Sequence, residues 1–216
     1  MEFVTRFRNG LAGLARREPF RLPAAEVPAH FRRAAVLIPF WPAGDDVCVL
    51  LTRRATHLAQ HAGQTSFPGG RLNEGETWSA AALREAQEEV GLDPASVEIV
   101  GALDDAWSGA GHHIVPIVGW LAASPGLRAN PGEVEAILVA RVSELLLPGS
   151  RGELEVEHRG TRYRNPTLRF AGGDAYGLSA DLLLEAIGWG MGERPSPGPL
   201  RLAHLRSYFG QSTDGR

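Results

Sequence analysis

The sequence predicts a single α+β domain built on a mixed sheet. Three observations lead there: short β-rich apolar runs divided by turn residues, a turn followed by helical spacing lodged among them, and a second helical run near the end. The chain has 216 residues, 44% hydrophobic and 22% charged, which suits an ordinary globular protein with one sizeable core. No run approaches the ~20 apolar residues of a membrane span, and arginines interrupt MEFVTRFRNGLAGLARREPF. A cytoplasmic protein without a signal peptide or membrane contact is therefore expected. Cys48 is the single cysteine and lies in the apolar run VCVLL, which points to a buried, inert thiol. A net charge of -3 lacks the basic excess of a nucleic-acid binder. All 22 cationic Lys+Arg positions are arginine.

Residues 1–32 read as an N-terminal arm, in which Phe3, Phe7, Leu11 and Leu14 recur at helical spacing until PFRLPAAEVP stops the helix. A core over 33–190 opens with two strands, AAVLIPF and VCVLLTRRA, joined by turn residues in WPAGDD. A linker, THLAQHAGQTS, and a turn-rich loop, FPGGRLNEGE, follow. Thr77 is then an N-cap, Trp78 to Val90 a helix and Gly91 its stop. On this helix Leu83, Ala86 and Val90 are spaced to face the sheet, while Glu85, Glu88 and Glu89 form a separate, converging face. Strands are expected in VEIVGALDDAW, HIVPIVGWLA and VEAILVARV, and a helix in SADLLLEAIGWG. Residues 191–216 read as a tail with one short helix, RLAHLRSYF.

Like charges at these helical spacings cost about 0.2–0.5 kcal/mol per pair, so the three glutamates call for a compensating cation. Mg²⁺ takes carboxylate and water oxygens and completes its shell with substrate phosphate. On spacing alone, a solvated acidic face explains them equally well.

The full pattern is more specific. From Gly70 it runs G, five residues, Glu76, seven residues, Arg84-Glu85, Ala86, one residue, Glu88-Glu89, one residue, Gly91-Leu92. This resembles the signature box of the Nudix hydrolase superfamily, with Ala86 standing where a larger aliphatic is usual. The resemblance implies the Nudix fold, an α/β/α sandwich with a mixed central sheet, and hydrolysis of a diphosphate with Mg²⁺ or Mn²⁺. It makes Glu85 and Glu89 metal ligands, Glu88 a bridging or auxiliary ligand and the Gly69 carbonyl a further one. Arg84 and Glu76 would hold loop and helix together. A general base would come from beyond the box, where Glu133 and Glu135 are the candidates. As exposed loop glutamates they would have no such role.

Upstream, LLTRRATHLAQHAGQTSFPGG resembles a signature of the coenzyme A pyrophosphatase subfamily. Leu50, Leu51, Thr52, Arg54, Gly63, Phe67, Pro68, Gly69 and Gly70 fit, while Ala55 replaces the commoner serine and Ala59 a frequent arginine. NPGEVEAILVARVSELL and AYGLSADLLLEAI resemble later segments of the same subfamily. The implied substrate is coenzyme A or its esters, with Arg54, Phe67 and Gly70 as contacts and Arg54 as reader of the 3'-phosphate. Another diphosphate such as ADP-ribose or NADH is the alternative substrate, and a regulatory nucleotide-binding module the third reading. The partner is then a small molecule, with the chain a monomer or homodimer. His112 and His113 are possible substrate contacts in a loop, and the scattered histidines show no zinc-ligand spacing.

Overall fold

In a computed structural model, residues 1–57, 62–158 and 160–209 are described. Ala59 lies outside them. The first two apolar runs form β1 (Arg32–Ala43) and β2 (Asp46–Arg54), an antiparallel hairpin that turns at Gly44, whose φ of +67° suits a residue without Cβ. The glycine-rich stretch adds β3 (Thr65–Ser66), paired to β2, and β4 (Gly69–Arg71), paired to β1. The stretch expected as a free turn-rich loop is thus partly woven into the sheet. β5 (Val97–Ala102), β6 (Ala106–Ser108), β7 (His112–Leu121) and β8 (Val134–Arg141) complete it. Its eight strands follow the order β3-β2-β1-β7-β5, with β4 on β1, β6 on β7 and β8 on β2. Only the β1–β7 pairing is parallel among those described, which makes the sheet mixed.

The helices are α1 (Glu2–Leu11), α2 (Trp78–Val90), α3 (Val142–Leu145), α4 (Leu178–Met191) and α5 (Gly198–Phe209). Alternation along β2 divides the core. Val47, Val49 and Leu51 join Phe7 and Leu11 of α1 and Leu182 and Leu183 of α4. Cys48 and Leu50 join Ala81, Ala82, Ala86 and Val90 of α2 on the opposite face. The fold is therefore an α/β/α sandwich. Cys48 is buried and burial raises its thiol pKa, which keeps it unreactive. The segment expected as an arm packs directly on α4, so closely that a Cβ on Gly10 would strike the Gly190 carbonyl. α1 is thus part of the core.

The run VEIVGALDDAW is two strands rather than one. Between β5 and β6, Asp104 and Asp105 turn fully inward because the N-terminal and C-terminal segments supply their donors. Asp104 accepts from Phe20 N–H, Gly198 N–H, Ser196 Oγ and the Arg17 guanidinium. Asp105 accepts from Leu22 N–H at 3.0 Å, Arg21 at 2.5 Å and His113 Nε2 at 2.7 Å. Arg201 of α5 pairs with Glu185 of α4 at 2.8 Å beside them. No helix among the described residues is long and apolar enough to cross a membrane.

A second, antiparallel sheet in the order β11-β10-β9 was not expected from the sequence. It comprises β9 (Arg151–His158), β10 (Thr161–Phe170) and β11 (Gly173–Tyr176). Among the described residues β9 is an edge strand, exposed over nearly its whole length, with Glu153, Glu155 and Glu157 on one face and Leu154 and Val156 on the other.

Candidate active site

Helix α2 begins where Thr77 Oγ1 accepts Ala80 N–H at 3.2 Å and ends at Gly91, whose φ of +67° is the left-handed stop. Its inward stripe is Ala82, Ala86, Glu89 and Val90, while Leu83 is only partly buried. This corrects the expected division of faces. Glu89 belongs to the buried side, 2% exposed, where its carboxylate accepts Gly69 N–H at 3.2 Å.

Glycine leaves room for the Glu85 carboxylate. A Cβ on Gly70 would run into the Glu85 carboxylate, and one on Gly69 into the β1 backbone at Ala35 and Val36. Since Gly69 N–H points off the ladder onto Glu89, its carbonyl points the same way, as both groups do in an extended residue. Gly69 thus turns its polar groups toward the helix, whereas Gly70 makes room for a carboxylate.

Glu133 arrives from the segment before β8, and its carboxylate meets those of Glu85 and Glu89 with ligand atoms all within 4.8 Å. Glu135 is the second residue of β8, exposed, and outside this cluster. Glu88 also stays outside: its side chain is 54% exposed and is held by Arg84 at 3.1 Å. Three carboxylates do converge, but the third is Glu133 rather than Glu88.

Arg84 fastens the helix to the loop before it. It contacts Glu76 at 2.9 Å, Glu85 at 2.8 Å and the Arg71 carbonyl at 2.9 Å. Arg54, at the end of β2, stands 3.7 Å from Glu89, and among the described residues its buried Nε has no hydrogen-bond partner. Phe67 is 4% exposed and packs in the α4-side core, so it shapes the loop from within rather than offering a face to a ligand. His112 and His113 lie in β7, not in a loop, and His113 packs edge-on against Trp78 at 5.5 Å.

Burial pushes the Glu89 pKa up to about 8; Gly69 N–H and Arg54 oppose the rise, and Glu133 and Glu85 add to it. Burial likewise raises Glu85, against the pull of Arg84. Crowding and desolvation penalise the charged form of these carboxylates, and a bound cation would offset that charge. All-oxygen donors of high charge suit a hard divalent ion such as Mg²⁺ or Mn²⁺, so the residues present fit a metal.

A carboxylate-bearing helix seated on a glycine strand within an α/β/α sandwich is the arrangement of the Nudix fold. The chain belongs to the Nudix family: the model for the NUDIX domain matches residues 30–159. Two bacterial relatives carry the name Uncharacterized Nudix hydrolase NudL. That of Shigella flexneri serotype 5b (strain 8401) is 35% identical over 159 residues, 73% of this chain and 82% of the relative. That of Salmonella paratyphi B is 38% identical over 155 residues, 71% and 80% of the two chains. Among solved structures, a MutT/nudix family protein from Enterococcus faecalis is similar in fold, with a TM-score of 0.50 at 14% identity over 94% of this chain and 87% of that one.

Asn130, which opens the NPGEV run already noted, and His57, which no spacing rule singles out, both bind the segment that carries Glu133 at the backbone of Gly132.

Proposed function

We propose that the protein hydrolyses the diphosphate bond of coenzyme A and its esters, giving 3',5'-ADP and 4'-phosphopantetheine or its acyl derivative. The observation that carries this reading is the meeting of two sequence signatures in one place. Arg54, from the stretch resembling the coenzyme A subfamily, stands 3.7 Å from Glu89 of the box. Glu85, Glu89 and Glu133 would hold Mg²⁺ or Mn²⁺, with the Gly69 carbonyl beside them and Glu88 as an outer auxiliary. A divalent ion there supplies charge neutralisation for the diphosphate and a bound water of lowered pKa.

The chain's own residues do the rest. Arg54, whose guanidinium stands 3.7 Å from Glu89, would meet a diphosphate oxygen. That revises the expectation that it reads the 3'-phosphate, because a guanidinium paired to Glu89 sits at the scissile end of the substrate. Glu133 is the exposed member of the cluster and is placed to accept the proton of the attacking water. Arg84 steadies Glu85 and Glu88. Gly70 belongs to this reading as the space Glu85 occupies, and Phe67 as packing under the loop.

A substrate panel tests the proposal. Coenzyme A, dephospho-coenzyme A, ADP-ribose and NADH are incubated with Mg²⁺ or Mn²⁺ and the products separated. Coenzyme A is expected to give the highest kcat/KM, and Arg54→Ala to slow coenzyme A and dephospho-coenzyme A by the same factor. A clear preference for ADP-ribose or NADH overturns the coenzyme A reading and keeps the hydrolase.

A further inference from the structure

Glu133 differs from its two partners in how it reaches the cluster. Glu85 and Glu89 ride on a helix of 13 residues, whereas Glu133 is carried by a turn at the end of the segment that joins β7 to β8. Such a turn presents a carboxylate accurately only if its own backbone is held. On the helix side, Arg128 N–H donates to the Val90 carbonyl at 2.9 Å and Asn130 N–H to the Glu89 carbonyl at 2.8 Å. Within the turn, Asn130 Oδ1 accepts Gly132 N–H at 3.0 Å and the Asn130 carbonyl accepts Glu133 N–H at 3.0 Å. On the sheet side, Ala55 N–H donates to the Glu133 carbonyl at 2.9 Å.

One side chain from β2's end closes the frame. His57 Nε2 lies 3.1 Å from the Gly132 carbonyl. A carbonyl oxygen only accepts, so Nε2 carries the proton and the ring donates. His57 is exposed and touches no carboxylate of the cluster in any described contact, so neither core packing nor metal ligation accounts for its bond.

We propose that His57 is a positioning residue that, through the Gly132 carbonyl, clamps the Asn130 turn to the end of β2 and holds Glu133 against Glu85 and Glu89. The proposal rests on the reading of those three as a cation cradle. Its effect falls on the pre-organisation of the cradle, as with groups that orient metal ligands without touching the metal.

The test is direct Mn²⁺ binding by calorimetry, without substrate, on wild type, His57→Ala, His57→Gln, Glu133→Gln and the His57→Ala/Glu133→Gln double variant, each first checked for native circular dichroism. His57→Ala is expected to weaken binding on the order of 10-fold, and His57→Gln, which keeps a donor of similar reach, to recover most of it. In the Glu133→Gln background, His57→Ala is expected to cause no further loss, because its action passes through Glu133. Equal, independent losses in the two backgrounds overturn the proposal, as does wild-type binding by His57→Ala while Glu133→Gln binds weakly. Wild-type binding by Glu133→Gln removes Glu133 from the cradle, and the proposal falls with that reading.

Discussion

At the scale of single residues, the site depends on charges placed where they are poorly solvated. Glu89 is nearly buried, faces Gly69 N–H, and shares its surroundings with Glu85 and Glu133. Glu89→Gln keeps the shape and removes the charge, and is expected to lower kcat on the order of 10²–10³-fold at saturating Mn²⁺. Near-normal turnover would remove Glu89 from the cradle. The two glutamates beyond the box now separate: Glu133→Gln is expected to impair turnover strongly, while Glu135→Gln leaves it near wild type. Steady-state rates of the two variants decide between them. Residue spacing alone could not rank this pair, since what distinguishes them is a turn held from three sides. Nor could it show Glu88 leaving the cluster, because that follows from Arg84, four residues earlier, taking its carboxylate.

At the scale of elements, α2 was legible almost in full. Thr77, the alanines and Gly91 each state a local preference, and the three agree with one another and with the packing. The hairpin of β1 and β2 was legible for the same reason. The three-stranded β9–β11 sheet was not, because β9 alternates glutamate with exposed Leu154 and Val156 and so shows no buried stripe. Asp104 and Asp105 hid differently: a pair of aspartates looks like a solvated turn, and its burial depends on donors more than 80 residues away. The cap on α2 is open to measurement. Thr77→Ala is expected to cost about 1 kcal/mol, seen as a lower urea midpoint at unchanged slope. A change below a few tenths of that would mean another group caps the helix.

For the whole molecule, the buried Asp104–Asp105 pair joins the chain's two described ends to the sheet. Asp105 is opposed by burial, but hydrogen bonds from His113, Arg21 and Leu22 N–H outweigh it and hold its pKa below the ordinary 3.8. The folded state thus binds that proton less readily than the unfolded chain. The contribution of Asp105 to stability is therefore complete above pH 3.8 and is lost as pH falls through the depressed folded value. Comparing wild type with Asp105→Asn in urea, the stability gap is expected to stay level from neutral pH down to mild acid and to shrink in strong acid. A gap that widens on acidification would contradict the assignment.

The open edge of β9 has a consequence for how copies of this protein behave in concentrated solution. Among the described residues the outer side of this eight-residue strand has no partner strand, and such an edge is a template on which another chain can extend the sheet. Two copies meeting there in antiparallel register would set Glu153 against Glu157 and Glu155 against itself, and the encounter would be repelled. The glutamate row thus opposes that pairing, and within its own hairpin Arg164 lies 3.8 Å from Glu153 and 3.5 Å from Glu155. Replacing Glu153, Glu155 and Glu157 with threonine keeps strand propensity and removes the repulsion. Light scattering is expected to show concentration-dependent assembly in that variant and none in the wild type under the same conditions.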